Sequence, residues 1–504
     1  MSLMTGASRT LPPPLILAVV GLGAFVTALD QTVVVTALPT LMLDLKISLT
    51  QLDQASWIIT AYLLGYTAAM PVIGRLADVY GYAKVYQVAL VVFVIGTSLV
   101  AVSQSLEWMV AARVIQAVGG GATVPIGLAI AGSALPRKQW GLALGIVAGA
   151  AEAGSVLGPA YGGAIIELSN WRWIFWLNVP QSAVLFLALF WLPNQPNREA
   201  RVDYLGSALL VAALLLVSLA LSRGSLFTLS SPVPFVMGGV GLALAGVLLV
   251  VERRAQQPLL SPALFRAKAF LAANGAQLLV GVSLIIAMVT VPLMANTIMG
   301  KTPLTGAMWL LRMTGAIPVG AVIGGLLLGR VGIRPVMVAG LGSAALGLLL
   351  VSGWDLDVRD PQLTLHLAVA GLGFGLVISP IMTQALTAVS DDYRATAASL
   401  VVVARMLGMT LGLAALSAWG VEHFQTLMSG LEFPLPEPGE SAEEAQAHLA
   451  EYNAELTAAG LSLFHNFLRV AAAGALVAIL PALAMGSSRG RYGKSDCRAK
   501  ALGR

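Results

Sequence analysis

Long apolar runs separated by short polar clusters fill this chain, and the length of the runs decides what they are. A helix needs about 20 predominantly apolar residues to cross a hydrocarbon core. On that template the pattern predicts fourteen spans, near 14–38, 53–74, 84–103, 106–134, 140–166, 173–193, 203–222, 233–251, 269–298, 304–330, 335–353, 362–389, 394–429 and 455–486. The first run holds Asp30 and lacks both a basic n-region and a small-residue cleavage site, so it reads as a retained span and not a signal peptide.

Composition agrees with the pattern. Of 504 residues 58% are hydrophobic and 11% charged, where a soluble domain carries about a quarter charged. Mean hydropathy is +0.85. A water-soluble enzyme, a disordered chain and a nucleic-acid binder are excluded, leaving an all-α polytopic membrane protein. The single cysteine, Cys497, excludes a disulfide scaffold and a cysteine-ligated metal. His366, His423, His448 and His465 fall in no metal-binding spacing, so no metal site is expected. Gly486-Ser-Ser-Arg-Gly490 formally matches a hydrolase nucleophile pattern, but it follows a span and enters a basic tail, with no strand before it. It is read as coincidence.

Charge sets the orientation. About twenty of the 29 Lys and Arg residues fall on the side of the N-terminus, among them Arg75, Lys84, Arg137, Lys138, Arg198, Arg201, Arg253, Arg254, Arg330, Arg334 and the tail Arg489–Arg504. The other side has Lys46, Arg172, Arg223, Lys301 and Arg359. Both termini are therefore expected in the cytoplasm. The net charge of +5 reports topology and requires no acidic partner.

Gly74 to Gly81, after the second span, is echoed by Gly325 to Gly332 after the tenth, each beside a basic turn. The echo predicts two six-span bundles, residues 1–198 and 257–488. Two inserted spans in 199–256 have uncharged centres, as lipid-facing helices would, and a basic tail occupies 489–504. A chance glycine spacing is the alternative. Span thirteen reads helical for about 36 residues, or about 54 Å, against a core of about 30 Å. It and its partner are expected to project outward. The loop around 430–455 that joins them carries Pro434, Pro436, Pro438, Glu440, Glu443, Glu444, Glu451 and Glu455. It is a docking surface, a slide for substrate, or simply solvated.

Ionisable groups at membrane depth cost about 2.5–3.5 kcal/mol on insertion scales and mark pathways or proton relays. Asp30, Arg113, Glu152 and Arg405 lie at compatible depths in spans one, four, five and thirteen. They predict two ion pairs, Asp30–Arg113 and Glu152–Arg405. A carboxylate held between desolvation and an arginine can change protonation as water access alternates; a static bridge pinning two helices is the plainer reading. Arg312 and Arg469 have no obvious intramembrane carboxylate partner and receive no role.

These residues sit in motifs that resemble the major facilitator superfamily, in its fourteen-helix branch of drug:proton antiporters, over essentially the whole chain. Leu29-Asp30-Gln31-Thr32-Val33-Val34 through Pro39 resembles the first-helix motif, with Val35 in place of its usual Asn. Arg113, Gln116 and Gly119-Gly120-Gly121 resemble the fourth-helix motif, whose arginine is implicated in proton transfer; Ala117 stands where it normally has glycine. Gly154, Gly158, Pro159, Gly162 and Gly163 match the fifth-helix antiporter motif, and Gly141, Gly145 and Gly149 extend its small-residue ridge. Trp171 through Asn178 and Pro180 resembles the entry to span six. Gly74-Arg75-Leu76-Ala77-Asp78-Val79-Tyr80-Gly81 resembles the cytoplasmic gate motif, though Val79, Tyr82 and Ala83 replace its bases. Asp78 is expected at the start of span thirteen, with Arg394 as another possible partner.

The segments 57–66, 370–378, 401–409 and 414–420 are similar to the triacylglyceride exporters of mycobacteria, which also carry acids in spans one and five and an arginine matching Arg405. The resemblance implies a major facilitator fold and a monomer of the bacterial cytoplasmic (inner) membrane, driven by a proton gradient with no cofactor. It further implies export of a triacylglyceride or glycolipid by alternating access, with an extracytoplasmic lipoprotein as possible acceptor. Export of amphipathic drugs and dyes is the alternative. A membrane-embedded enzyme or a non-transporting receptor is more remote.

Overall fold

A computed structural model describes residues 11–46, 55, 57–192, 194, 196–197, 201–221, 232–255, 258–259, 264, 266–428 and 442–485. Arg198, Arg223, Pro434 to Glu440, the Gly486–Gly490 pattern, Cys497 and the tail Arg489–Arg504 lie outside the described residues. Fourteen helices are long and apolar enough to cross a membrane, and no strand occurs among the described residues. They are α1 (Pro13–Asp44), α2 (Trp57–Tyr80), α3 (Tyr82–Ala101), α4 (Leu106–Ala134), α5 (Trp140–Leu168), α6 (Arg172–Trp191), α7 (Tyr204–Leu221), α8 (Val233–Arg254), α9 (Lys268–Thr297), α10 (Pro303–Val331), α11 (Ile333–Val351), α12 (Gln362–Thr387), α13 (Arg394–Met428) and α14 (Ala442–Val477, continued by Ile479–Ala484).

The expected loop around 430–455 is corrected in its second half. α14 starts at Ala442, so Glu443, Glu444, Glu451 and Glu455 lie on a helix. Hydropathy finds membrane spans and misses a polar helix, whereas Ala442-Glu-Glu-Ala-Gln-Ala-His-Leu-Ala is rich in strong helix formers. With 35 and 36 residues, α13 and α14 each run for about 50 Å, well beyond a hydrocarbon core of about 30 Å.

One packing scheme appears twice. α1 lies along α5 as α9 lies along α13; α3 packs on α4 as α11 on α12, and α2 on α4 as α10 on α12. The contacts between the two sets repeat as well, α5 against α10 and α13 against α2. Glycines make these crossings close, as packing without a hydrophobic driving force requires. A Cβ on Gly141 would stand 2.8 Å from the Gly325 carbonyl, and one on Gly74 would stand 2.8 Å from the Ala395 carbonyl. The Ser379 hydroxyl donates to the Gly141 carbonyl at 2.6 Å. Gly81 and Gly332, at matching turns, have φ of +95° and +89°, a region open to glycine and strained for other residues.

The main contacts between the sets fall on the basic-loop ends of the helices. There Thr123–Ala134 of α4 meets α13, while Ala316–Val331 of α10 and Ile378–Thr387 of α12 meet α5. The molecule is thus closed at its basic face. α7 and α8 pair with each other, and α7 lies beside α2 and α13. Leu210, Leu248 and Leu259 are buried there, with Leu400 packed against them.

The α5 glycines fit α1 unequally. A Cβ on Gly158 would come within 2.8 Å of the Leu29 carbonyl, one on Gly162 within 3.0 Å of the Val33 carbonyl, and one on Gly154 within 3.1 Å of the Leu29 nitrogen, whereas Gly163 has open space. Gly158→Val should therefore destabilise the protein by about 1–3 kcal/mol, the usual range for overpacking. Gly163→Ala should leave stability unchanged. Thermal unfolding in detergent measures both, and equal losses would contradict the assignment.

Candidate functional site

The first charged centre lies within the first six helices. Arg113 and Gln116 are three residues apart on α4 and so share a face. The Arg113 Nη1 donates to Asp30 Oδ2 at 3.2 Å and to Gln116 Oε1 at 2.7 Å. Gln116 Nε2 donates to Asp30 Oδ1 at 3.0 Å, and Asn178 Nδ2 to the same oxygen at 2.6 Å. Asn178 opens the second segment of α6, where it also donates to Thr97 at 3.3 Å. The Asp30 and Arg113 side chains are both fully buried. The Tyr62 ring covers the guanidinium, 4.0 Å from its Cζ. A buried ion pair keeps its charge only when further hydrogen bonds satisfy it, and this shell supplies them. Gln116 and Asn178 are visible in the sequence as motif letters, but their convergence on Asp30 is tertiary.

The second centre joins the two sets of helices. Glu152 of α5 and Arg405 of α13 form a two-pronged bridge, Nη1 to Oε1 and Nη2 to Oε2, the latter at 3.2 Å. Both side chains are 15% exposed, so the bridge borders accessible space while Asp30 does not.

At the basic face Asp78 accepts from the Ala395 and Thr396 backbone N–H groups at 2.9 Å each, and from the Thr396 hydroxyl at 2.7 Å. Tyr82 donates to it at 3.2 Å. A helix leaves its first N–H groups unpaired and favours an anion there; Asp78 caps α13 from another helix. Arg394 does not join it. That side chain pairs with Asp391 at 2.6 Å and lies over the Trp140 ring, because its place in the first turn of α13 directs it toward the preceding turn. The residue missed from the sequence is Arg75, assigned there to topology alone. It is buried, donates to the Asp392 carbonyl at 3.2 Å and the Arg201 carbonyl at 3.4 Å, and lies over the Tyr393 ring. Its place inside the Gly74–Gly81 turn was the available signal.

Arg312 also has a partner, contrary to the sequence reading. It bonds both oxygens of Asp360, at 2.7 and 2.8 Å, across the turn after α11. Arg469 reaches Asn466 at 3.2 Å. Thr364 and then Arg312 hold the exposed Asp360 carboxyl below its ordinary range. No cluster of His, Cys, Asp or Glu able to hold a metal occurs among the described residues.

Residues 20–413 match the model of the Major Facilitator Superfamily, and the chain belongs to that family. It is 37% identical over 481 residues to a triacylglyceride transporter of Mycolicibacterium smegmatis, covering 91% of this chain and 86% of that protein. A triacylglyceride transporter of Mycobacterium tuberculosis is 37% identical over 453 residues, with 86% and 87% covered. Among solved structures, a human organic anion transporter matches with TM-score 0.61 and 14% identity over 94% of this chain and 100% of that one. A proton:xylose symporter matches with TM-score 0.57 and 13% identity over 88% and 94%. These two share the fold. The protein is a multi-pass membrane protein of a transporter family.

Two outcomes follow from the geometry. Asp78→Ala removes three charge-assisted bonds, each contributing about 1.5–3 kcal/mol, and should open the basic face. Maleimide labelling of Ser399→Cys in a Cys497→Ser background should then rise; unchanged labelling would show that Asp78 does not hold the gate. A carboxylate with a depressed pKa stabilises the fold above its ordinary pKa of about 3.9 and stops doing so as pH falls through the depressed value. Arg312→Ala should therefore lower the Tm slightly at neutral pH and not at all once Asp360 is protonated.

Proposed function

We propose that the protein is a proton-coupled secondary transporter that exports hydrophobic molecules by alternating access, with a neutral lipid such as a triacylglyceride, or a glycolipid, as substrate. The observation carrying this reading is the pairing of two intramembrane centres in one chain. One is sealed inside the first six helices, and the other spans the two sets that must move. The kinship to triacylglyceride transporters supplies the substrate class.

Asp30 is the proton carrier in this reading. Deprotonated, it draws Arg113, Gln116 and Asn178 together; protonated, it releases them. Glu152 and Arg405 hold α5 against α13 and exchange that bond for others as the sets rock. Gly74, Arg75, Asp78 and Gly81 close the basic face, which the positive-inside rule assigns to the cytoplasm. Rocking of repeated bundles about a central site is the usual route of such transporters. The remaining assignments are a monomer in the bacterial cytoplasmic membrane, no cofactor beyond the proton gradient and no enzymatic step. The long α13–α14 pair supports delivery to an extracytoplasmic acceptor such as a lipoprotein. Export of amphipathic drugs is the second reading, favoured by the partial exposure of Glu152, where an acid can attract a cation.

Purified protein in liposomes with an imposed pH gradient distinguishes them. A fluorescent triacylglyceride should move in wild type and stop in Asp30→Asn. Movement of a cationic dye alone would assign the protein to drug export, and movement of neither would overturn the transport reading.

A further inference from the structure

α2 connects the two charged centres. Tyr62 and Tyr66 are four residues apart on it and therefore share a face. Their rings stack with centroids 5.8 Å apart and an interplanar angle of 19°. Tyr62 is fully buried and covers the Arg113 guanidinium. Tyr66 is 3% exposed, packs with Met70, Ala117 and Val403, and lies within electrostatic reach of Glu152 and Arg405. Two glycines of α4 make room for both. A Cβ on Gly120 would stand 2.8 Å from the Tyr62 hydroxyl, and one on Gly121 would stand 2.9 Å from the Tyr66 carbonyl.

We propose that Tyr62 and Tyr66 are positioning residues that couple the Asp30–Arg113 site to the Glu152–Arg405 bridge; the proposal rests on the proton-coupled reading above. When Asp30 takes up a proton, Arg113 remains charged and loses its counter-ion. The face of Tyr62 is then its strongest neighbour, since cation–π attraction grows in a desolvated site. Arg113 draws toward that ring. A close-packed interior transmits the displacement instead of absorbing it, so the stacked Tyr66 moves against the bridge between α5 and α13. No proton passes through either tyrosine. The Tyr62 hydroxyl has no hydrogen-bond partner among the described residues, so the ring is the working part and phenylalanine should replace it.

The other ionisable groups around the stack are accounted for. Asp30 comes from α1, Arg113 from α4, Glu152 from α5 and Arg405 from α13. Tyr86 of α3 faces Tyr66, and Tyr161 of α5 faces Asp30.

The test reads conformation and transport separately. In full-length Cys497→Ser protein carrying Ser399→Cys, labelling at the basic face is followed as a function of pH. Wild type should show a pH-dependent change that Asp30→Asn abolishes. Tyr62→Leu and Tyr66→Leu should abolish it too while staying folded by gel filtration and Tm, and Tyr62→Phe should retain it. In liposomes with the fluorescent triacylglyceride, the leucine variants should keep counterflow without a gradient. Gradient-driven movement should fall by about tenfold or more, within the range usual for coupling between sites. Leucine variants that keep the pH response would overturn the proposal, as would parallel loss of counterflow and gradient-driven movement, or a Tyr62→Phe variant as damaged as Tyr62→Leu. Absence of any pH response in wild-type labelling would also overturn it. Failure of lipid movement with the labelling pattern intact would instead remove the lipid-export reading alone.

Discussion

A charge carried into hydrocarbon must bring its partners with it, because the medium solvates neither sign. That constraint organises this molecule. Asp30 is surrounded by donors from α4 and α6, which fixes α1 against those helices in rotation as well as depth. Glu152 and Arg405 are held by each other, so the closed arrangement of α5 and α13 is bound to the survival of one ion pair. Neither pair can part without a new partner, a proton or water arriving. A structure under that rule has discrete states, which is what a carrier with alternating access requires.

Within this frame the helices approach through small residues. Gly141, Gly145 and Gly149 of α5 face α10, while Gly154, Gly158 and Gly162 face α1. One helix thus offers two glycine edges, one to its own set and one across the interface. The same helix carries Glu152, between the two edges. Movement at the bridge is therefore movement of a helix with little side-chain interlock on either side, where sliding meets the least steric resistance.

The repeat is close in geometry and unequal in chemistry. Gly74 and Gly325 occupy corresponding crossings, and Gly81 and Gly332 corresponding left-handed turns. Four residues after the first glycine, however, the first set has Asp78 and the second has Gly329, which has nothing within 4 Å of a Cβ position. Only the first turn caps a facing helix with a charge. The basic face is thus held by an electrostatic contact on one side, at α2 and α13, and by glycine packing on the other, at α5 and α10.

Periodicity and composition determine the class from the sequence alone, because a span of about 20 apolar residues has no other stable use and each buried charge is conspicuous against so apolar a background. Asp30, Arg113, Glu152 and Arg405 are legible for that reason, and the glycine motifs because close packing needs them. Rotation about the helix axes is decided only in the tertiary structure. It brings Gln116 and Asn178 to Asp30, turns Arg394 toward Asp391, and buries Arg75 against carbonyls of distant segments. Depth follows from position in the chain, but azimuth depends on every neighbouring helix at once. The polar start of α14 is the converse case: hydropathy is blind to it, while helix propensity, a local property, already marked it.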